Sequence, residues 1–169
     1  MAVTAFFDTS ILVGGLIYLG PQSEPAQSLL HAVAEKKLAR PATAWHCCLE
    51  FFSVATRMPP EFRVTPGDAL RLLEEEVFGR MDIHDLPEAQ RLPLLRAAAQ
   101  DRMAGGRIYD AHIADVARAA GAAVIVTDNR RHFVAALRHG IRVVTPTEAI
   151  TAIRKSKQSI RQFPIDDSQ

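Results

Sequence analysis

The run Val-Thr-Ala-Phe-Phe-Asp-Thr-Ser at residues 3–10 decides the fold, together with a second run of the same kind, Ala-Ala-Val-Ile-Val-Thr-Asp, at residues 122–128. Both runs are short, apolar and rich in β-favouring residues, so they predict buried strands that stop at a carboxylate, Asp8 or Asp128. In open α/β sheets, ligands bind beyond the carboxyl ends of the strands. We therefore expect both aspartates at the functional edge of a sheet, although helix capping explains each residue equally well when it is taken alone.

The rest of the chain alternates between helical and strand-like segments. Helical periodicity predicts helices at residues 26–34, 44–56, 68–77, 92–103 and 108–120. Further short strands are predicted at residues 38–41, 82–86 and 141–144. Strands that alternate with helices favour a parallel sheet, so the predicted fold class is α/β, with a central parallel sheet flanked by helices on both faces.

Length and composition predict a single domain. The chain has 169 residues, of which 48% are hydrophobic and 23% charged, and its net charge of +1 gives no general indication of a polyanionic partner. We assign residues 1–150 to the domain and 151–169 to the end of a C-terminal helix and a polar tail, because helical periodicity is lost from about Ser156. No apolar run reaches the roughly 18 residues that cross a bilayer, and no secretory signal is recognisable, so we expect no membrane association and a cytoplasmic location.

Asp110 lies at an unexpected place on its predicted helix. The residues three, four and seven positions ahead of it are apolar and form the core-facing stripe. A buried carboxylate is costly unless it is paired or coordinates a cation, so Asp110 requires a partner. By contrast, His112 and Asp115 fall on the other side of the helix, which we expect to be its solvated face.

Glu50 lies on a polar strip of a largely hydrophobic helix. The apolar stripe of that helix consists of Ala44, Cys47, Cys48, Phe51 and Ala55. The two adjacent cysteines, the only ones in the chain, fit reduced core thiols better than a crosslink. Taken alone, Glu50 is better explained as an exposed glutamate paired with His46, and it gains importance only from the other three acids.

Four separated carboxylates are thus candidates for one site. Carboxylate oxygens suit Mg²⁺ or Mn²⁺, and such ions can activate a water molecule and neutralise charge on a phosphodiester. The sequence contains no P-loop, dinucleotide-binding fingerprint, nucleophile elbow, or HExxH or CxxC zinc motif, which removes several competing enzyme classes.

Four motifs carry these acids: Phe-Phe-Asp-Thr-Ser at residues 6–10, the mid-chain Glu50, Ile-Tyr-Asp-Ala-His-Ile-Ala at 108–114 and Val-Thr-Asp-Asn-Arg-Arg-His-Phe at 126–133. Together they resemble PIN-domain nucleases and, within them, the VapC-type toxins of toxin–antitoxin pairs. The resemblance runs from Val3 to about Ile150. It implies a parallel sheet flanked by helices, dependence on Mg²⁺ or Mn²⁺, and endonucleolytic hydrolysis of RNA by a metal-activated water.

The resemblance also implies roles for individual residues. It implies that four acids are catalytic and bind the metal ion: Asp8, Glu50, Asp110 and Asp128. Ser10 and Thr127 match small hydroxyl positions that orient carboxylates or water, and local capping explains them equally well. Arg107 and Arg130 are the predicted substrate-binding residues, while Gly105 and Gly106 allow a tight turn before the Asp110 helix.

The implied partners are an RNA substrate, a small antitoxin that docks over the acidic cleft, and a second copy of the chain in a homodimer. Three alternatives stay open. The first is a housekeeping RNA-processing nuclease of the same family that has no antitoxin. The second is a phosphatase with Asp8 as nucleophile, although Ser10 stands where haloacid-dehalogenase-like enzymes have a second aspartate. The third is an inactive binding module, against which the four intact acids argue.

Overall fold

The computed structural model describes residues 5–161, excluding the side chains of residues 135, 138 and 157–161. The strands in this range are β1 (Ala5–Phe7), β2 (Pro41–Ala44), β3 (Asp82–His84), β4 (Val124–Val126) and β5 (Arg142–Val144). The α-helices are α1 (Thr9–Leu16), α2 (Glu24–Ala34), α3 (Trp45–Arg57), α4 (Pro66–Leu72), α5 (Glu88–Gln100), α6 (Arg107–Ala119), α7 (Val134–Arg138) and α8 (Pro146–Arg161). A π-helical segment, Leu73–Phe78, continues α4, and short 3₁₀ helices occupy Pro21–Ser23 and Arg130–Phe133.

The strands form one parallel sheet in the order β3-β2-β1-β4-β5. Phe6 in the central strand pairs with Ala42 on one side and with Ile125 on the other. Helices flank the sheet, so the predicted α/β class is confirmed. Because crossovers between parallel strands are right-handed, a chain that moves outward from the centre in both directions places helices on both faces.

The centre of the sheet contains a topological switch point between β1 and β4. From β1 the chain leads to β2 and β3, whereas from β4 it leads the opposite way to β5. The connections therefore diverge at the carboxyl ends of these two strands and leave a crevice there. Asp8 follows β1, and Thr127 and Asp128 follow β4, so the topology brings the two acid-bearing turns side by side.

Aromatic and aliphatic side chains fill the core against the sheet. Phe6, Phe7 and Phe51 are fully buried, and Phe133 is only 1% exposed. The predicted apolar stripe of α3 is buried as well. Burial raises the pKa of Cys47 to about 12 and that of Cys48 to about 11, so both thiols stay protonated, as expected for core residues.

Several boundaries differ from the sequence prediction. The second strand covers Pro41–Ala44 rather than residues 38–41, because the chain turns through Arg40 at a φ of 48° and proline is tolerated as the first residue of a strand. Helix α8 continues past Ser156 to Arg161, so residues 156–161 are helical rather than irregular, while the rest of the predicted tail lies outside the described residues. No helix between residues 5 and 161 has the length and apolar character needed to cross a membrane.

Candidate active site

Asp8 is the buried centre of the site. It stands at the N-cap position of α1, where the backbone N–H groups of Thr9 and Ser10 act on its carboxylate and lower its pKa, although no regular side-chain capping hydrogen bond forms. Its Oδ2 atom instead accepts hydrogen bonds from the hydroxyls of Ser10, at 2.9 Å, and Thr127, at 2.8 Å. With only 5% of the residue exposed, these two hydroxyls fix the direction of the carboxylate.

The same two hydroxyls connect Asp8 to the turn that follows β4. Ser10 Oγ accepts a hydrogen bond from the backbone N–H of Asp128 at 3.1 Å, and Thr127 Oγ1 accepts one from the N–H of Asn129 at 3.0 Å. Each hydroxyl therefore donates to the buried carboxylate and accepts from the neighbouring turn. This arrangement holds Asp128 beside Asp8, at the predicted edge of the sheet.

Glu50 reaches the site from α3. Its Oε2 atom accepts a hydrogen bond from the hydroxyl of Thr9, the residue directly after Asp8. The His46 ring does not pair with Glu50 and packs instead against Tyr109. The sequence interpretation of Glu50 as a glutamate paired with His46 is therefore wrong, and Thr9, which sequence reasoning missed, is its partner.

Asp110 reaches the site from the first turn of α6. Its neighbours on the helix, Ile113 and Ala114, are fully buried, which confirms the predicted core-facing stripe. The Asp110 side chain is 27% exposed, and its Oδ2 atom lies 3.5 Å from Nδ1 of His132. Gly105, just before the helix, has a φ of +62°, a conformation that favours glycine and gives the tight turn expected there.

The expected solvated face of α6 is partly covered. His112 is half-buried and lies edge-on to His46, with ring centroids 5.4 Å apart. The Asp115 side chain is only 18% exposed and lies near Arg118 and His139. The prediction of a solvated face was wrong for these two residues because α5 and α7 also pack against α6.

The acids share one electrostatic environment. Burial is the main cause that raises the pKa of Asp8, Asp110 and Asp128 above the usual range of aspartate. The negative charges of Asp8 and Glu50 raise the pKa of Asp110 further, and that of Asp8 raises the pKa of Asp128. Asp110 is thus repelled by Asp8 and Glu50, and Asp128 is repelled by Asp8.

These residues fit a hard divalent cation by their chemistry. Within residues 5–161, no group of three or more His, Cys, Asp or Glu side chains is arranged so that it could hold a metal ion. The donors around the crevice are nonetheless carboxylate oxygens, and the nearby Cys47 thiol is held in its protonated form. A cation between the acids would relieve both their mutual repulsion and the cost of their burial.

A groove of about 890 Å³ adjoins Asp110 on the side of α7. Its lining includes Arg107, Arg131 and His132. Arg130 points elsewhere and forms an ion pair at 3.1 Å with Glu148 at the start of α8. Of the two predicted substrate-binding arginines, only Arg107 therefore lines the groove, and Arg131 lines it in place of Arg130.

Comparison with known proteins shows the family. The PIN domain family matches residues 4–131, which include all four acids and most of the sheet. The chain belongs to the PIN-domain family. Its PIN domain is similar to ribonuclease VapC27 of Mycobacterium tuberculosis, with 38% identity over 73 residues, or 43% of this chain. The match spans about half the length of that relative, 51%, and the predicted resemblance to VapC-type PIN nucleases is confirmed.

Two solved structures resemble the PIN domain over most of its length. PAE2754 from Pyrobaculum aerophilum is 20% identical, has a TM-score of 0.60, and the alignment covers 92% of each chain. VapC20 of Mycobacterium tuberculosis, a toxin that cleaves the sarcin–ricin loop, is 16% identical with a TM-score of 0.60, and the alignment covers 79% of this chain and 95% of VapC20. At these identities the likeness shows a shared fold.

Proposed function

We propose that this PIN-domain chain is a Mg²⁺- or Mn²⁺-dependent endoribonuclease and the toxin of a toxin–antitoxin pair. The observation that carries the proposal is a set of hydrogen bonds: Ser10 joins the Asp8 carboxylate to the backbone of Asp128, and Thr9, directly after Asp8, donates to Glu50. Asp110, from a further element, is repelled by Asp8 and Glu50. The similarity to a ribonuclease, VapC27, supports RNA as the substrate.

The proposed reaction is the hydrolysis of a phosphodiester without a side-chain nucleophile. The divalent ion supplies, when bound, an activated water and neutralisation of the charge that develops on the phosphate. The four acids would hold the ion, and the hydroxyls of Ser10 and Thr127 keep the Asp8 carboxylate in one orientation.

Incubation of the purified protein with total RNA, with and without Mn²⁺, tests the proposal directly. We expect cleavage that depends on Mn²⁺ and produces defined ends, which sequencing of the ends would map. Absence of cleavage under all divalent ions would overturn the ribonuclease assignment. Arrest of growth on expression distinguishes a toxin from a housekeeping nuclease of the same family.

Metal binding should be visible in thermal unfolding without any substrate. At about 100 times its dissociation constant, a bound ion adds about 2.7 kcal/mol to the unfolding free energy, which corresponds to roughly 5–10 °C for a chain of this size. We expect Mn²⁺ to raise the melting temperature of the wild type by this amount. The melting temperature of Asp8→Asn should not change when Mn²⁺ is added. An equal rise in both proteins would contradict a metal site at Asp8.

The same variant also has a pH signature in metal-free buffer. Because the pKa of Asp8 is raised in the folded protein, its ionised form opposes folding, and this penalty is present above the folded pKa and absent below the unfolded one. Asp8→Asn should therefore melt at a higher temperature than the wild type at pH 7. The difference should shrink as the pH falls through the raised pKa of Asp8.

Arg131 is proposed to bind a substrate phosphate together with Arg107. Arg131→Ala should lower the slope of log affinity against log salt by about 0.7, the value for one contact to single-stranded nucleic acid. Arg130→Ala is the matched control, since Arg130 pairs with Glu148 outside the groove, and it should keep the wild-type slope. If only Arg130→Ala changes the slope, the substrate lies on the other side of this turn.

The proposed partners are a small antitoxin and a second copy of the chain, with the cytoplasm as the predicted location. Self-association is supported by Trp45, Leu49 and Phe52, which are 44%, 52% and 37% exposed. Their spacing of four and three residues places them on one face of α3. An exposed apolar face of this kind is typical of an interaction surface, and light scattering would measure the mass in solution.

A further inference from the structure

Two stacked rings lie beside the acids. The rings of His46 and Tyr109 have centroids 5.1 Å apart and planes inclined by 18°. His46 is one helical turn before Glu50 on α3, and Tyr109 directly precedes Asp110 on α6. The stack therefore connects the two helices that contribute Glu50 and Asp110 to the site.

The Tyr109 ring is supported on one face, and the residue stays exposed. His46 covers one face, and His112 in turn packs edge-on against His46, with planes inclined by 72°. Tyr109 is nevertheless 53% exposed, so much of the residue stays accessible to solvent while His46 covers one face of its ring. A flat ring held in place by two others is a preformed surface for stacking, which a tyrosine needed only for core packing would not provide.

We propose that Tyr109, supported by His46 and His112, stacks on an unpaired nucleobase of the RNA next to the cleaved bond. This inference rests on the proposed ribonuclease function. A base can stack on a protein ring only when it is unstacked from its neighbours, so the site would select loops or single strands rather than duplexes.

The position of the stack suits this role. The groove with Arg107 and Arg131 adjoins Asp110 on the side of α7, whereas Tyr109 adjoins it on the side of α3. An RNA strand that crosses the acids would then have its phosphates at the arginines and a base on Tyr109. Every base can stack on a ring, so Tyr109 would distinguish unpaired from paired RNA but would not select a particular base sequence.

Steady-state cleavage of a fluorogenic hairpin with an unpaired loop tests the proposed stacking on Tyr109. Stacking of one base is worth roughly 1–3 kcal/mol, so Tyr109→Leu should raise KM about tenfold and leave kcat unchanged. Tyr109→Phe keeps the ring and should behave as the wild type. Tyr18→Leu is the matched control, because Tyr18 is the other tyrosine of the chain, is 55% exposed and follows α1 at the end away from Asp8. An unchanged KM in Tyr109→Leu would overturn the inference.

A binding measurement separates this inference from the ribonuclease proposal. In metal-free buffer, RNA with 2-aminopurine in the loop should lose fluorescence on binding the wild type and Tyr109→Phe, since stacking on the ring quenches the probe. Tyr109→Leu should not quench it. If the wild type does not quench the probe, or if Tyr109→Leu quenches it equally, the stacking proposal for Tyr109 is refuted. Failure of the wild type to cleave any RNA refutes the proposed function instead.

Discussion

Asp110→Asn is expected to reduce RNA cleavage by about a thousandfold or more while the protein stays folded. The substitution keeps the shape of the side chain and removes one negative charge from the group of acids. Loss of a carboxylate ligand removes several kcal/mol of charge stabilisation from the transition state, and about 4 kcal/mol corresponds to a factor of a thousand. The relevant measurement is single-turnover cleavage at saturating Mn²⁺, with the melting temperature recorded on the same sample.

Asp115→Asn is the matched control for this experiment. Asp115 lies on the same helix, is similarly half-buried, and pairs with Arg118 and His139 rather than with the acids of the site. We expect this variant to cleave RNA at the wild-type rate. Wild-type cleavage by Asp110→Asn would remove Asp110 from the catalytic set, whereas equal losses in both variants would indicate a general disturbance of α6.

The parts of the fold that could be predicted are those with a local signal. The strands before Asp8 and Asp128 are short apolar runs, the first followed directly by its acid and the second by Thr127 and then its acid. Periodicity identifies α2 to α6 but not α1 or α7. The second strand was misplaced because Pro-Ala-Thr-Ala is a weak strand sequence. Its register comes from pairing with β1, where Ala5 lies opposite Pro41, and such pairing has no local signal.

Helix α5 shows the same limit. The sequence prediction began at residue 92, so that Pro93 would stand in the first turn, where proline is tolerated. The helix instead begins at Glu88, directly after Pro87, and includes Pro93 at its sixth residue. Proline there removes a helical hydrogen bond, so local rules argue against this start, and only the surrounding structure decides it.

The contacts of the site depend on how distant elements meet. Thr9 and Glu50 are 41 residues apart in the sequence, so neither of their motifs indicates that the two side chains form a hydrogen bond. The sequence also does not indicate which of Arg130 and Arg131 lines the groove. Both lie in a 3₁₀ helix, where successive side chains point about 120° apart, so the direction of the turn decides which one lines the groove.

Thr127→Val should lower cleavage by about 10- to 100-fold, the usual cost of removing a group that orients a metal ligand. Valine matches threonine in shape but provides no hydroxyl, so Asp8 loses a hydrogen bond of 2.8 Å and the N–H of Asn129 loses its acceptor. The unfolding free energy should also fall by about 1–3 kcal/mol, because Thr127 is fully buried. Thr127→Ser restores the hydroxyl and should recover most of the activity.

Thr43→Val separates orientation of Asp8 from general stability. Thr43 is as buried as Thr127, and its hydroxyl donates at 2.7 Å to the backbone carbonyl of Phe7 rather than to a carboxylate. Its loss should cost a similar unfolding free energy, as measured by urea denaturation, and leave the cleavage rate of the folded protein unchanged. If Thr43→Val reduces cleavage as much as Thr127→Val does, the hydroxyl of Thr127 acts through stability. If only Thr127→Val does so, it acts by holding Asp8.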